Sequence, residues 1–305
     1  MKAVLLGGSG FIGAHLARTL LDAGDTVTSW DRQLPAYAPR WPGVDYRLGD
    51  LYQPDAAGLA DVLAGADLVY HLAWRFLPAE SNGQMQADIA ANLAGTVRLL
   101  ETCVAQRVGR VIFFSSGGTV YGPAQTAPIP ETHPTEPRSS HAILKLAVEK
   151  YLALFGQLHG LDYVVLRPGN PFGPYQDPGR GQGVIPAFLA QAAAGQPLDV
   201  WGDGQVVRDY FYVGDLAEAA WLAGRTAASR TVYNIGSGVG RSLADVIAAL
   251  ERLLDRPLPV QHHPARTVDV PVNVLDITKA RTLLGWSPRT SFEEGLRRTL
   301  IAIAG

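Results

Sequence analysis

Three glycines near the start of the chain, Gly7, Gly10 and Gly13, stand in the spacing G-x-x-G-x-x-G within KAVLLGGSGFIG. A residue without Cβ lets the backbone turn sharply, lets a ligand approach main-chain amides, and lets a helix pack closely on a strand. The apolar run before the glycines reads as a buried strand. The run that begins at Phe11 and Ile12 reads as a helix whose free N–H groups suit a diphosphate. A glycine-rich turn with no ligand is the plainer alternative. Asp31 ends a second strand, TVTSWD. A carboxylate there accepts both ribose hydroxyls of an adenosine and repels a 2′-phosphate, which favours NAD over NADP; Arg32 beside it is a cation that tolerates the phosphate. Much farther along, His141 and Lys145 are four apart in SSHAILK, so a helix puts them on one face. A neutral imidazole accepts a proton near pH 7, and a neighbouring ammonium discourages the imidazolium.

Positioning these groups requires strands and helices in alternation. Strands are expected at residues 2–6, 26–31, 44–48, 66–72, 110–116 and 162–167, with helices at about 11–23, 87–108 and 140–158 between them. Such crossovers build an α/β doubly wound parallel sheet covered on both faces, with its chemistry at the carboxyl ends of the strands. Those ends carry Asp50 and Leu51, then His71, Leu72, Ala73 and Trp74, and then Ser115 and Ser116. Asp50 is a candidate for the adenine amino group or a turn carboxylate. His71 reads as a packed histidine, and Asn92 sits in an apolar-periodic run where it can bond the next strand's backbone. The proline-rich loop at 123–138 is long enough to suggest a functional loop. Composition changes at Pro168, where RPGNPFGPYQDPGRGQGVIP has no periodicity. The expected division is residues 1–167 for the dinucleotide, with a return of about 206–235, and a smaller C-terminal substrate-binding lobe from 168–205 and 236–305.

Composition sets the outer bounds. A chain of 305 residues, 47% hydrophobic and 18% charged, buries one large core or two lobes sharing an interface. A net charge of −2 gives no general attraction to nucleic acid or acidic membranes. One cysteine, Cys103, excludes a disulfide framework or a cysteine-rich metal centre, so no metal is expected. No apolar run approaches a membrane span, and the start reads as a strand instead of a signal peptide, so a cytoplasmic enzyme is expected.

In order along the chain stand GGSGFIG, Asp31, Asp50-Leu51, HLA at 71–73, Asn92, SSGGTVYG at 115–122, Lys145, RPGNPFGP at 167–174, GDGQVVRDYFYVGDLA at 202–217, NIGSG at 234–238 and LGWSP at 284–288. With these the chain resembles the extended short-chain dehydrogenase/reductases, within the nucleotide-sugar epimerase and dehydratase group, and most the UDP-hexose 4-epimerase-like branch. The resemblance implies a Rossmann-like fold, a homodimer and tightly held NAD. It implies C4 inversion of a UDP-hexose through a transient 4-keto sugar. It places Gly7, Gly10, Phe11, Ile12, Gly13, Asp31, Arg32, Asp50, Leu51, Leu72, Ala73, Trp74, Asn92, Ser115, Lys145 and Pro168 at the cofactor. Thr119, Asn170, Gln182, Val184, Arg208, Arg266 and Asp269 fall at the nucleotide sugar, with Arg208 and Arg266 as a diphosphate clamp. Arg180 lies in the same cleft loop.

Two positions depart from the family. His141 stands where a tyrosinate base is usual, and an imidazole is shorter than a phenol. The usual Ser or Thr falls on Gly117, leaving Ser116 and Thr119 to assist, with Thr119 favoured. Gly118 and Thr119 also replace the carboxylates of dehydrating and decarboxylating members, which argues against those reactions. A keto-sugar reductase, or a binding protein with altered chemistry, are the alternatives.

Overall fold

The structure is a computed structural model that describes all residues but 54, 182, 266–269 and 305. The chain begins with β1 (Lys2–Leu6), α1 (Phe11–Asp22), β2 (Thr26–Asp31), β3 (Val44–Leu48), α2 (Leu59–Leu63) and β4 (Leu68–His71). Short helices α3 (Pro78–Ser81) and α4 (Met85–Asp88) lead through a π-helical turn, Ile89–Ala94, into α5 (Gly95–Ala105). There follow β5 (Arg110–Phe114), α6 (Ser140–His159), β6 (Tyr163–Pro168), β7 (Asn170–Phe172), α7 (Val184–Ala193), β8 (Leu198–Trp201), β9 (Val207–Tyr212) and α8 (Val213–Ala223). The chain continues with β10 (Thr231–Ile235), β11 (Gly240–Ser242), α9 (Leu243–Leu254), β12 (Val260–His263), β13 (Val272–Asn273) and α10 (Phe292–Ala304), with a second π turn at Ala280–Leu284.

Seven strands form one parallel sheet in the order β10-β6-β5-β4-β1-β2-β3. Its two faces are separated by the period of two that a pleated strand imposes. Ala3, Leu5, Ile112 and Phe114 enter a core on one side with Leu16, Leu20 and Leu216. Val4, Leu6, Val111 and Phe113 enter the core on the other side with Leu99, Val148 and Leu152. Both faces are covered at the centre of the sheet, which is why β1, β4, β5 and β6 are largely apolar, whereas the edge strand β3 is mostly exposed. Each fully buried leucine contributes about 1.5–3 kcal/mol relative to an exposed one.

A separate core under the C-terminal part joins Phe172, Phe188, Leu198, Val200, Tyr210, Leu250 and Phe292. It lies beneath a smaller sheet in which β9 pairs with β7, β11 and β13. The strand expected at 206–213 therefore does not return to the large sheet. Within 206–235, β10 joins that sheet beside β6, and α8 packs on α1. The segment after Pro168 also forms the short strand β7, although no periodicity marks it. The helix expected over 87–108 is broken by the π turn at 89–94.

Candidate active site

The glycine turn joins β1 to α1 at the centre of the large sheet. Gly7 has φ +87°, and a Cβ there would stand 2.7 Å from the Ala73 nitrogen just past β4. On Gly13 a Cβ would meet the Gly8 Cα at 2.6 Å. Gly8, which the spacing alone did not single out, is equally confined: its Cβ would lie 2.5 Å from Ser29 Oγ. Gly10 caps α1 in extended conformation with no side-chain cap, so the first-turn N–H groups at Phe11 and Ile12 face outward from bare main chain. Asp31 at the end of β2 accepts from Ser9 N (3.1 Å) in that turn and from Arg32 N. The cradle has no Cβ where a diphosphate needs amides, a helix N-terminus behind it, and a carboxylate at its ribose end; these residues fit a dinucleotide.

The adenosine side is less open to direct contact. Arg32 leans over the Tyr52 ring at 5.4 Å. Asp50 accepts from Tyr52 N (2.9 Å), the turn-forming role of a carboxylate at that place. Leu51 is buried and its carbonyl accepts from Arg98. Leu72 N and Ala73 N both donate to the Leu6 carbonyl, which draws the end of β4 against the glycine turn.

His71 is buried and hydrogen-bonded to Thr96, as a packing histidine. Asn92 reaches back to the loop after β4 instead of forward to the next strand. Its Oδ1 accepts from Arg75 N (2.9 Å) and its Nδ2 donates to Asp88 Oδ1 (2.6 Å). It therefore meets the cofactor crevice through the 73–76 loop.

The reacting end is built from three segments: the loop after β4, the turn after β5, and the first turns of α6. Ser139 caps α6, accepting from Ala142 N. His141 and Lys145 then share the buried face of that helix. Lys145 Nζ donates to the Phe114 carbonyl (2.7 Å) at the end of β5 and sits 3.7 Å from the centre of the Trp74 ring. Burial lowers its pKa to about 7, while the carboxylates of Glu149 and Asp88 pull the other way. His141 meets the edge of the same indole, ring centres 5.6 Å apart. Burial, and then the Lys145 charge, lower its pKa to about 3, so the imidazole is neutral at pH 7. His141 Nδ1, Thr119 Oγ1 and Trp74 Nε1 are buried with no hydrogen-bond partner among the described residues. His141 and Trp74 meet at one place, and unsatisfied polar atoms there are costly in a merely structural setting and suit a site that a ligand completes.

The turn after β5 separates the two hydroxyl candidates. Thr119 holds its Oγ1 buried and unsatisfied; Ser116 is half-buried, its carbonyl accepting from Val120 N. Gly117 has no room for a side chain: a Cβ would lie 2.6 Å from Leu275 Cδ1 and 2.8 Å from the Arg167 carbonyl. Ser115 turns its hydroxyl away to Glu149 Oε1 (2.5 Å). Tyr121 is buried, donating to Asn234 Oδ1 and accepting from Arg167 Nη1, so its phenol is committed to packing.

Glu149 and Arg167 form a buried two-point pair, Nε–Oε1 3.0 Å and Nη2–Oε2 2.5 Å, that joins α6 to β6 directly behind the site. Neither was picked out beforehand. The signal was available: Glu149 is four residues after Lys145, on the face already assigned to His141 and Lys145.

On the far side, Pro168 closes β6 and its carbonyl accepts from Gly117 N (2.8 Å). Asn170 Oδ1 would lie 3.5 Å from a Cβ on Gly118, so it borders the same turn. Val184 opens α7 after Gly183. Arg208 on β9 donates to the Val207 and Val270 carbonyls. Gln182, Arg266 and Asp269 lie outside the described residues. Asp209, next to Arg208, is a fully buried hub that the motif reading passed over. Its carboxylate accepts from Ser237 N and Oγ, Gly238 N and Leu275 N, tying two of the sequence motifs to the segment around Leu275. No group of metal-binding side chains occurs among the described residues.

The pattern of the NAD dependent epimerase/dehydratase family matches residues 3–236. The chain belongs to this family. Among its relatives, the UDP-glucose 4-epimerase of Mycolicibacterium smegmatis is 32% identical, over 98% of this chain and 97% of its own. The crystal structure of the Thermotoga maritima UDP-glucose 4-epimerase with UDP-glucose superposes with a TM-score of 0.94 at 32% identity, covering 100% of this chain and 99% of the other. The Thermus thermophilus UDP-glucose 4-epimerase in complex with NAD gives 0.91 at 34%, with the same coverage. As a family member the chain is an NAD-dependent enzyme of nucleotide-sugar type. No helix among the described residues is long and apolar enough to cross a membrane.

Proposed function

We propose that this chain inverts C4 of a UDP-hexose. The family's own name spans epimerases and dehydratases, so membership alone does not select the reaction. The observation that carries the choice is the reacting end: His141, its buried Nδ1 unpartnered among the described residues, lies against Trp74 and one helical turn from the buried Lys145, and glycine and threonine at 118 and 119 leave no carboxylate there to remove a carbon-bound proton. NAD, held along Gly7–Gly13 and Asp31, supplies the hydride acceptor and later the donor at the sugar carbon, with no net redox.

His141 Nδ1 accepts the proton of the 4-hydroxyl and returns it. Thr119 Oγ1, or Ser116 beside it, holds the 4-oxygen in line. Lys145 would bond the nicotinamide ribose, and its charge disfavours the imidazolium, so the proton that His141 takes is readily returned. Asn170 and Arg208, with Arg266, Asp269 and Gln182, orient the nucleoside diphosphate by directional charge-assisted bonds. Residues 1–167 with part of 206–235 hold the dinucleotide, and 168–205 with 236–305 hold the sugar nucleotide. Helices α4–α6 leave Met85, Ile89, Ile143, Leu154 and Leu158 exposed, which supports pairing with a second copy. Cys103, buried and free, is consistent with a cytoplasmic setting.

The purified protein, incubated with UDP-glucose, UDP-galactose, their N-acetylated forms and the uronic acids, is expected to invert one pair without consuming added cofactor. No inversion of any of them by NAD-loaded protein overturns the proposal. A second reading, nucleotide-sugar binding with altered chemistry, is favoured by the pKa of about 3 at His141, which makes it a weak acceptor. His141→Ala and His141→Tyr separate the two. Turnover lost with Ala and altered with Tyr supports His141 as the base, and turnover unchanged in both removes it from that role.

A further inference from the structure

We propose that Asp88 is a positioning residue for the reacting end: its carboxylate ties the loop that carries Trp74 and Arg75 to the first turn of the helix that carries His141 and Lys145. Asp88 ends α4 and is fully buried. Its Oδ1 accepts from Asn92 Nδ2 (2.6 Å), whose other end holds Arg75 N (2.9 Å). Its Oδ2 accepts from Ser140 Oγ (2.8 Å), the residue before His141. The same short helices brace that turn twice more, with Asn82 Oδ1 accepting from Ser140 N (2.9 Å) and Ser81 Oγ accepting from His141 N (3.2 Å).

The indole of Trp74 and the side chains of His141 and Lys145 thus come from two separate segments, and one carboxylate fixes the distance between those segments. A misplacement near 1 Å at reacting atoms costs up to about a hundredfold in rate. The π turn at Ile89–Ala94 begins directly after Asp88, a geometry often found beside functional sites.

The carboxylate also acts by charge. Four groups face the Lys145 ammonium: Glu149 and His141 from its own helix, Asp88 from α4 and His71 from β4, besides the rings of Trp74 and Phe113. Asp88 and Glu149 are the two anions among them. Removing the Asp88 charge leaves burial less opposed, so the lysine releases its proton at lower pH.

The proposal rests on the epimerase reading for its kinetic arm only. Asp88→Asn keeps the shape and removes the charge and one acceptor; Ser140→Ala removes one bond and keeps the charge. In Asp88→Asn kcat is expected to fall at least about tenfold while KM for the UDP-sugar stays within about twofold. Ser140→Ala is expected to lower kcat in the same direction, by less.

The independent arm needs no turnover. The chain has four lysines, Lys2, Lys145, Lys150 and Lys279. In 13C-lysine-labelled protein the Lys145 signal is assigned by its loss in Lys145→Arg. Its titration midpoint is expected to move down by at least about half a unit in Asp88→Asn and to stay put in Ser140→Ala. Folded Asp88→Asn with wild-type kcat and an unmoved Lys145 titration overturns the proposal. A loss of kcat matched by loss of folded protein, with the titration unmoved, assigns Asp88 to stability alone and overturns it as well. If the wild type inverts no UDP-sugar, the epimerase reading fails, and the lysine titration still decides the role of Asp88.

Discussion

The glycine turn and the reacting end differ in what fixes them. Around Gly7 and Gly13 the constraint is main chain against main chain: a single Cβ would stand 2.6–2.7 Å from backbone atoms. Around His141 and Lys145 the constraint is side chains from three segments, held by a lysine bonded to a carbonyl, an indole over the ammonium, and buried carboxylates behind. The first is a steric device with one solution. The second is a network in which each member is held by partners from another segment. Position 117 shows the two constraints meeting, since a glycine there is enforced by Leu275 and the Arg167 carbonyl.

That contrast can be tested from the reacting end first. His141→Phe is expected to lower kcat by about 10²–10⁴, the span of a lost acid–base group, while leaving NAD content in place. A matching loss of bound NAD would show that the two regions are one. Gly7→Val places a β-branched residue at φ +87° against the Ala73 nitrogen. Expected is NAD binding weaker by at least about a hundredfold, with stability down by about 1–3 kcal/mol, read by calorimetry and thermal melting. Unchanged binding would break the steric account of the cradle. Gly117→Ser, which adds a hydroxyl side chain, should destabilise by about 1–3 kcal/mol through overpacking, visible as a lower denaturant midpoint. A stabilised or more active variant would mean that the 115–122 turn is softer than its contacts indicate.

A further effect is set by pH. His141 has its pKa lowered from 6.5 to about 3, so the unfolded chain binds more protons between those values. Stability therefore rises with pH across that window and is lost as pH falls through it, on the order of 1.4 kcal/mol per unit. His71, shifted likewise, contributes in the same sense. Replacing His141 with Gln should flatten the acid limb of the melting curve by His141's share and leave that of His71. An unchanged acid limb would show that the imidazole is better solvated than its burial implies.

How much of this was legible beforehand follows from the same distinction. The central strands of the large sheet announce themselves because burial on both faces demands nearly unbroken runs of Val, Leu and Phe, and the glycine spacing is readable because a missing Cβ is itself a letter in the sequence. Short pieces were not legible: α3, α4 and β7 have too few residues for a period, and the break at 89–94 looks like an ordinary helical run in its letters. β9 was read as a strand but given to the wrong sheet, since a strand's pattern does not name its neighbour. At the site, His141 and Lys145 were found by their interval of four. Glu149, Arg167 and Asp88 were not, because a buried charge is defined by a partner far along the chain. Asp50 and Ser115 were placed at the crevice, while the partners that engage them, Tyr52 and Glu149, came into view only with the fold.

The π turn at Ile89–Ala94 has a bearing on how this chain can change. A wide turn amounts to one surplus residue in a helix, and shedding it would leave a straighter, more regular rod. The rod would also rotate Asp88 by about 100° relative to Asn92, since each α-helical residue advances that far. Local regularity and the grip on Arg75 are thus opposed in this stretch, and length variants here should be scarce.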